Sequence, residues 1–101
     1  MMVTTVETDI GTLIHRRPGL NGGRPCLAGT GMSVHQIAVE YTSGAAPEEI
    51  LRRYPHLDLA RIHAGITYYF ANRAWLDVEI EEEVLAYQRE VERRRRERTA
   101  G

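Results

Sequence analysis

Lysine is missing from this chain of 101 residues, and all 13 of its basic residues are Arg. That absence excludes a Walker-type phosphate loop, whose Lys reaches the terminal phosphates of a nucleotide. The glycine-rich segment Gly22-Gly23-Arg24-Pro25-Cys26-Leu27-Ala28-Gly29-Thr30-Gly31 would otherwise invite that reading. Its glycine spacing also departs from GxGxxG, so the glycines are expected to serve a bent β-ribbon. One cysteine, Cys26, excludes an intramolecular disulfide framework and a CxxC zinc pair. A reduced, partly buried thiol in the cytoplasm is the expected state.

The four histidines, His15, His35, His56 and His63, include no i,i+4 pair and no HExxH motif, so no metal site is expected. No apolar run approaches the roughly 18 residues of a membrane helix, and no charged n-region followed by an apolar stretch opens the chain. A soluble, cytoplasmic protein without membrane contact is expected. Ser33 and Ser43 lack a nucleophile elbow, and the carboxylates of residues 77–83 read as a solvated helix face. An enzyme is not expected, nor a cofactor.

Charge of one sign is scarce too: the net charge is −1. Residues 1–33 carry three Arg against Glu7 and Asp9. Residues 34–73 balance Arg52, Arg53, Arg61 and Arg73 against Glu40, Glu48, Glu49 and Asp58. The remainder sets six Arg against eight acids. A lone nucleic-acid-binding domain usually has a basic excess, so DNA binding by a monomer is expected to be weak.

What is present is helical patterning. Residues 1–11 read as a loose terminus, and Thr12–His15 and Pro25–Ala28 as two short strands closed by Gly29-Thr30-Gly31. From Val34 the apolar period becomes that of a helix, with Val34, Ile37, Ala38 and Tyr41 on one stripe, Ser33 as N-cap and Gly44 beyond the end. Pro47, Glu48 and Glu49 start a second helix, whose inner face is Ile50, Leu51 and Tyr54. Tyr54-Pro55-His56-Leu57 forms a turn, and Asp58 caps a third helix burying Leu59, Ile62, Ile66, Tyr69 and Phe70. Residues 12–73 thus form the core, a β-ribbon and three helices in helix-turn-helix order.

Residues 74–101 form a charged helical arm. Asp77, Glu79, Glu81, Glu82 and Glu83 crowd one end and Arg89, Arg93 to Arg96 and Arg98 the other, as the helix dipole prefers. Glu90–Arg94 and Glu92–Arg96 are i,i+4 pairs. Leu76, Ile80, Val84, Tyr87 and Val91 make a near-heptad seam expected to pack on a partner chain or on the core. Tyr68 and Trp75 join them as candidate partner-binding residues, because such side chains are enriched at interfaces. Candidate DNA contacts are Arg24, Arg52, Arg53, Arg61 and His63, with Arg61 reaching base edges from the third helix and Arg52 and Arg53 meeting phosphates.

Together, Gly22-Gly23-Arg24-Pro25-Cys26-Leu27-Ala28-Gly29-Thr30 and Pro47-Glu48-Glu49-Ile50-Leu51-Arg52-Arg53-Tyr54-Pro55-His56-Leu57 resemble an antitoxin-like bacterial family, DUF433. The family pattern has Gly-Gly-x-Pro-x-Ile-x-Gly-Thr-Arg-Ile-Pro-Val, then one helix, then Pro-Glu-Glu-Ile-Leu and Tyr-Pro-x-Leu. The resemblance implies a mainly α fold, a homeodomain-like helix-turn-helix with a short N-terminal β-ribbon. It further implies the antitoxin half of a toxin–antitoxin pair, binding a PIN-like ribonuclease toxin and, as a homodimer, operator DNA for autorepression. A helix-turn-helix-shaped module that binds only protein is the alternative. This chain has Gly31 where the pattern favours Arg and Ser33 where it favours Pro. A contact made by that Arg is therefore missing here.

Overall fold

The computed structural model describes residues 6–19 and 21–100. Among these, strands β1 (Ile14–His15) and β2 (Cys26–Leu27) and helices α1 (Val34–Thr42), α2 (Pro47–Arg53), α3 (Leu59–Ala71) and α4 (Arg73–Ala100) follow in chain order. The expected loose terminus lies in part on residues 1–5, outside the described residues. The chain divides into two compact units, Met1–Ala71 and Asn72–Gly101.

In the first unit, β1 and β2 pair antiparallel with Ile14 opposite Leu27 and His15 opposite Cys26. The ribbon is shorter than the sequence pattern suggests, because Thr12 and Leu13 belong to a 3-10 turn spanning Ile10–Leu13. Asp9 draws them out of the strand. Its carboxylate accepts from Gly11 N–H at 2.9 Å, and its carbonyl accepts from the Thr12 hydroxyl at 2.6 Å and from Thr12 N–H at 2.9 Å. Short polar side chains compete with ladder bonds in this way. Beyond β2 the chain reverses tightly: Thr30 N–H and its hydroxyl both donate to the Leu27 carbonyl, and Gly29 sits at φ +73°.

Ser33 caps α1 as its spacing suggests, its hydroxyl accepting from Gln36 N–H at 3.1 Å. The departure from the family's Pro therefore supplies a capping bond. Gly44, at φ +106°, ends the helix. Pro47 is the first residue of α2.

Leu27, Ile37, Ala45, Ile50, Leu57, Ile62 and Ile66 form the core, with Ile14, Met32, Tyr41, Leu51 and Tyr54 packed around it. Each fully buried Leu or Ile contributes about 2 kcal/mol of transfer free energy. Gly65 makes the helix packing possible: a Cβ there would stand 2.9 Å from Leu27 Cδ2 and 3.3 Å from Ile37 Cγ2. Tyr69 is buried as expected, but Phe70 and Leu59 are not, being 51% and 38% exposed. A helix advances about 100° per residue, so Phe70 falls to the rim beside Tyr69. There it meets Tyr41 edge-on, ring centroids 5.8 Å apart.

In the second unit, α4 is one continuous helix of 28 residues, Arg73–Ala100, beginning one residue before the expected arm at residue 74. Arg94 reaches Glu90 at 3.1 Å and Arg96 reaches Glu92 at 3.6 Å, the two pairs that the spacing suggests. Arg93 adds bridges to Glu90 and Glu97. The Arg93 hydrogen bond holds the Glu90 carboxyl below its ordinary pKa. Among the described residues no helix is long and apolar enough to cross a membrane.

Candidate interaction surfaces

Arg61, the residue placed nearest to base edges, is occupied within the fold. Its Nε donates to the Ala28 carbonyl at 2.9 Å, and its Nη1 lies 2.6 Å from Asp58 Oδ2. Asp58 in turn accepts from Arg61 N–H at 2.8 Å through Oδ1 and so caps α3. One guanidinium thereby ties the helix start to the turn after β2. The Asp58 carboxyl lies below its ordinary pKa, first because of the Arg61 backbone hydrogen bond and further because of the Arg61 side chain.

A carboxyl depressed in the folded state contributes stability above its ordinary pKa and loses it as the pH falls through the lowered value. Asp58→Ala is therefore expected to destabilise the protein by about 1 kcal/mol near neutral pH. Thermal melts should show this deficit shrinking as the pH drops below the usual carboxylate range. A deficit constant down to strong acid would contradict it.

Arg53 is also engaged. It pairs with Glu40 of α1, whose carboxylate accepts from the Tyr54 hydroxyl at 3.1 Å and from Gln36 Nε2 at 3.1 Å. The Glu40 side chain is only 13% exposed, so α1 and the end of α2 meet through a charged junction. Arg52 and His63 are exposed, and Arg52 pairs with no carboxylate among the described residues. Arg24 is half-buried just before β2, with its carbonyl accepting from Cys26 Sγ at 3.5 Å. The five candidate DNA contacts thus divide into two held by acids, one half-buried and two exposed.

The partner-binding candidates divide as well. Leu76 is fully buried and Trp75 half-buried, with the indole N–H donating to Asn72 Oδ1 at 3.1 Å. Ile80 is half-buried, whereas Val84, Tyr87 and Val91 are exposed by 47%, 71% and 36%. Val78 and Leu85 are exposed on another side of α4. Tyr68 is half-buried, its hydroxyl accepting from Arg16 Nη2 at 3.2 Å. It borders an open, largely apolar groove of about 430 Å³, lined also by Ile10, Ile14, His15, Thr67 and Ala71. In that groove His15 Nδ1 accepts from Gly29 N–H at 3.3 Å. Neither the groove nor the Glu40 junction is foreshadowed by local patterning, since both join residues far apart in the chain.

These features define a small, mainly helical protein whose ribbon and first three helices form the core and whose last helix carries exposed apolar side chains. The chain belongs to the family described as "Protein of unknown function (DUF433)", whose pattern matches residues 14–69. It is similar to a DUF433 member protein from Anabaena variabilis ATCC 29413 known from a crystal structure, at 30% identity over 69% of each chain and a TM-score of 0.64. No curated protein matches it.

Proposed function

We propose that this DUF433 protein is the antitoxin-like half of a toxin–antitoxin pair and acts chiefly by protein contact. The observation that carries the reading is the exposure of Val84, Tyr87 and Val91 along one stripe of an otherwise charged helix, with Val78 and Leu85 exposed on another side. Apolar surface gathered in this way is characteristic of an interaction site. The PIN-like ribonuclease as partner comes from the sequence resemblance. α4 would inhibit it sterically and electrostatically, with the acids of 77–83 or an Arg of 89–98 entering the nuclease's metal–carboxylate site.

A second reading, operator binding as an autorepressor, draws on the short connection of residues 54–58 between α2 and α3 and on the exposed Arg52 and His63. It is the weaker of the two, because Glu40 and Asp58 already neutralise Arg53 and Arg61.

The test is a mixing experiment with the PIN-like ribonuclease from a neighbouring reading frame. The protein should form a stable complex on size exclusion and suppress RNA cleavage. Absence of a complex together with undiminished cleavage would remove the reading. Duplex DNA from the protein's own promoter, titrated across salt concentrations, separates the second reading. Tight, sequence-dependent binding of the protein alone would promote it over the first.

A further inference from the structure

We propose that α4 is a self-association helix, and that two copies of this chain pair through it in antiparallel orientation. The inference rests on α4 alone and holds whether or not the ribonuclease reading does. Ile80, Val84, Tyr87 and Val91 follow one another at spacings of 4, 3 and 4, a pattern that reads the same in both directions. These are alternating core positions of a heptad, and they fall on one stripe of the helix. Reversing a second copy places Ile80 opposite Val91 of the second copy and Val84 opposite Tyr87 of the second copy. Four apolar layers result, each joining a larger side chain to a smaller one. Three of the four side chains, Val84, Tyr87 and Val91, are solvent-exposed in the single chain, Tyr87 most of all.

Charge selects the orientation. A parallel pair in register would lay Asp77, Glu79, Glu81, Glu82 and Glu83 along the same five acids and set Arg94 and Arg98 each against its own copy. Such like-charge juxtapositions are destabilising in a coiled coil. The antiparallel pair lays the acidic span 77–83 along residues 88–94, where Arg89, Arg93 and Arg94 outnumber Glu90 and Glu92. In that register Asp77 and Arg94 of the second copy close the apolar layers at each end. Glu83 and Glu90 of the second copy approach each other beside the seam, and Glu90 is already neutralised by Arg93 and Arg94. The paired stretch of residues 77–94 is about 27 Å long, so a concentration-dependent dimer is expected rather than an obligate one.

Sedimentation equilibrium of the full chain should show mass rising toward twice the single chain with concentration. Tyr87→Glu should raise the dissociation constant by about tenfold or more. Leu85→Glu, on the other side of the helix, should leave it unchanged, and circular dichroism confirms that both variants keep their helix content. Orientation is read by oxidative cross-linking in the background of the native, buried Cys26. Mixed Ile80→Cys and Val91→Cys chains should form a disulfide-linked heterodimer, while neither variant should cross-link efficiently to itself. In the antiparallel register, like positions stand 11 residues apart, about 16 Å. A monomer at every concentration, equal effects of the two Glu substitutions, or self-cross-linking of each Cys variant would overturn the proposal.

Discussion

Ile37→Ala is expected to lower the unfolding free energy by about 3–4 kcal/mol, with a fall in melting temperature of roughly 15 °C or more. Ile37 is completely buried on α1, within the cluster that joins β2, α2 and α3. Removing its outer carbons forfeits their transfer free energy and opens a cavity among Leu27, Ile62 and Ile66, side chains fixed on separate elements. Collapse to fill such a space requires several elements to move together, which puts the loss in the upper part of the range for aliphatic truncations. Chemical denaturation checks it through the midpoint at constant m-value. A loss below 1 kcal/mol would show that the core closes around the gap.

Gly65→Val is expected to destabilise the protein by about 2–3 kcal/mol for the opposite reason, overpacking. The helical position by itself would favour almost any residue over glycine, by up to about 1 kcal/mol for Ala. Space overrides propensity here, since the first added carbon already stands 2.9 Å from Leu27 Cδ2 and 3.3 Å from Ile37 Cγ2. Val adds two further methyl groups beyond that carbon. The two sites touch, so their effects should not add: Ile37→Ala provides room for the Val, and the double variant should lose clearly less than the sum of the singles. Additive losses in the denaturation cycle would contradict the contact.

How much of this was legible in the sequence depends on how local each feature is. The caps at Ser33 and Asp58, the Pro47 start and the Gly44 stop concern neighbours within four residues, and the structure places them as the sequence suggests. The Glu90–Arg94 and Glu92–Arg96 pairs are legible for the same reason. Alternation alone extends the strand to Thr12, because it does not reveal that Asp9 offers closer hydrogen-bond partners. Phe70 lies outside the core that the apolar pattern suggests, because consecutive aromatics cannot all share one helix face. The pairing of Arg53 with Glu40 and of Arg61 with Ala28 spans 13 and 33 residues, beyond any periodic signal. For the candidate surfaces this matters most. Spacing identified which arginines stand on the second and third helices but not that acids already hold two of them.

The double grip of Arg61 has a thermodynamic consequence. A phosphate or partner carboxylate that draws its guanidinium outward leaves Asp58 without its counter-charge and the Ala28 carbonyl without a donor. Ligand capture at this residue and fastening of the ribbon turn to the head of α3 therefore compete for one group. Linkage makes the competition mutual: whatever recruits Arg61 loosens that joint, and whatever tightens the joint weakens the recruitment by the same factor.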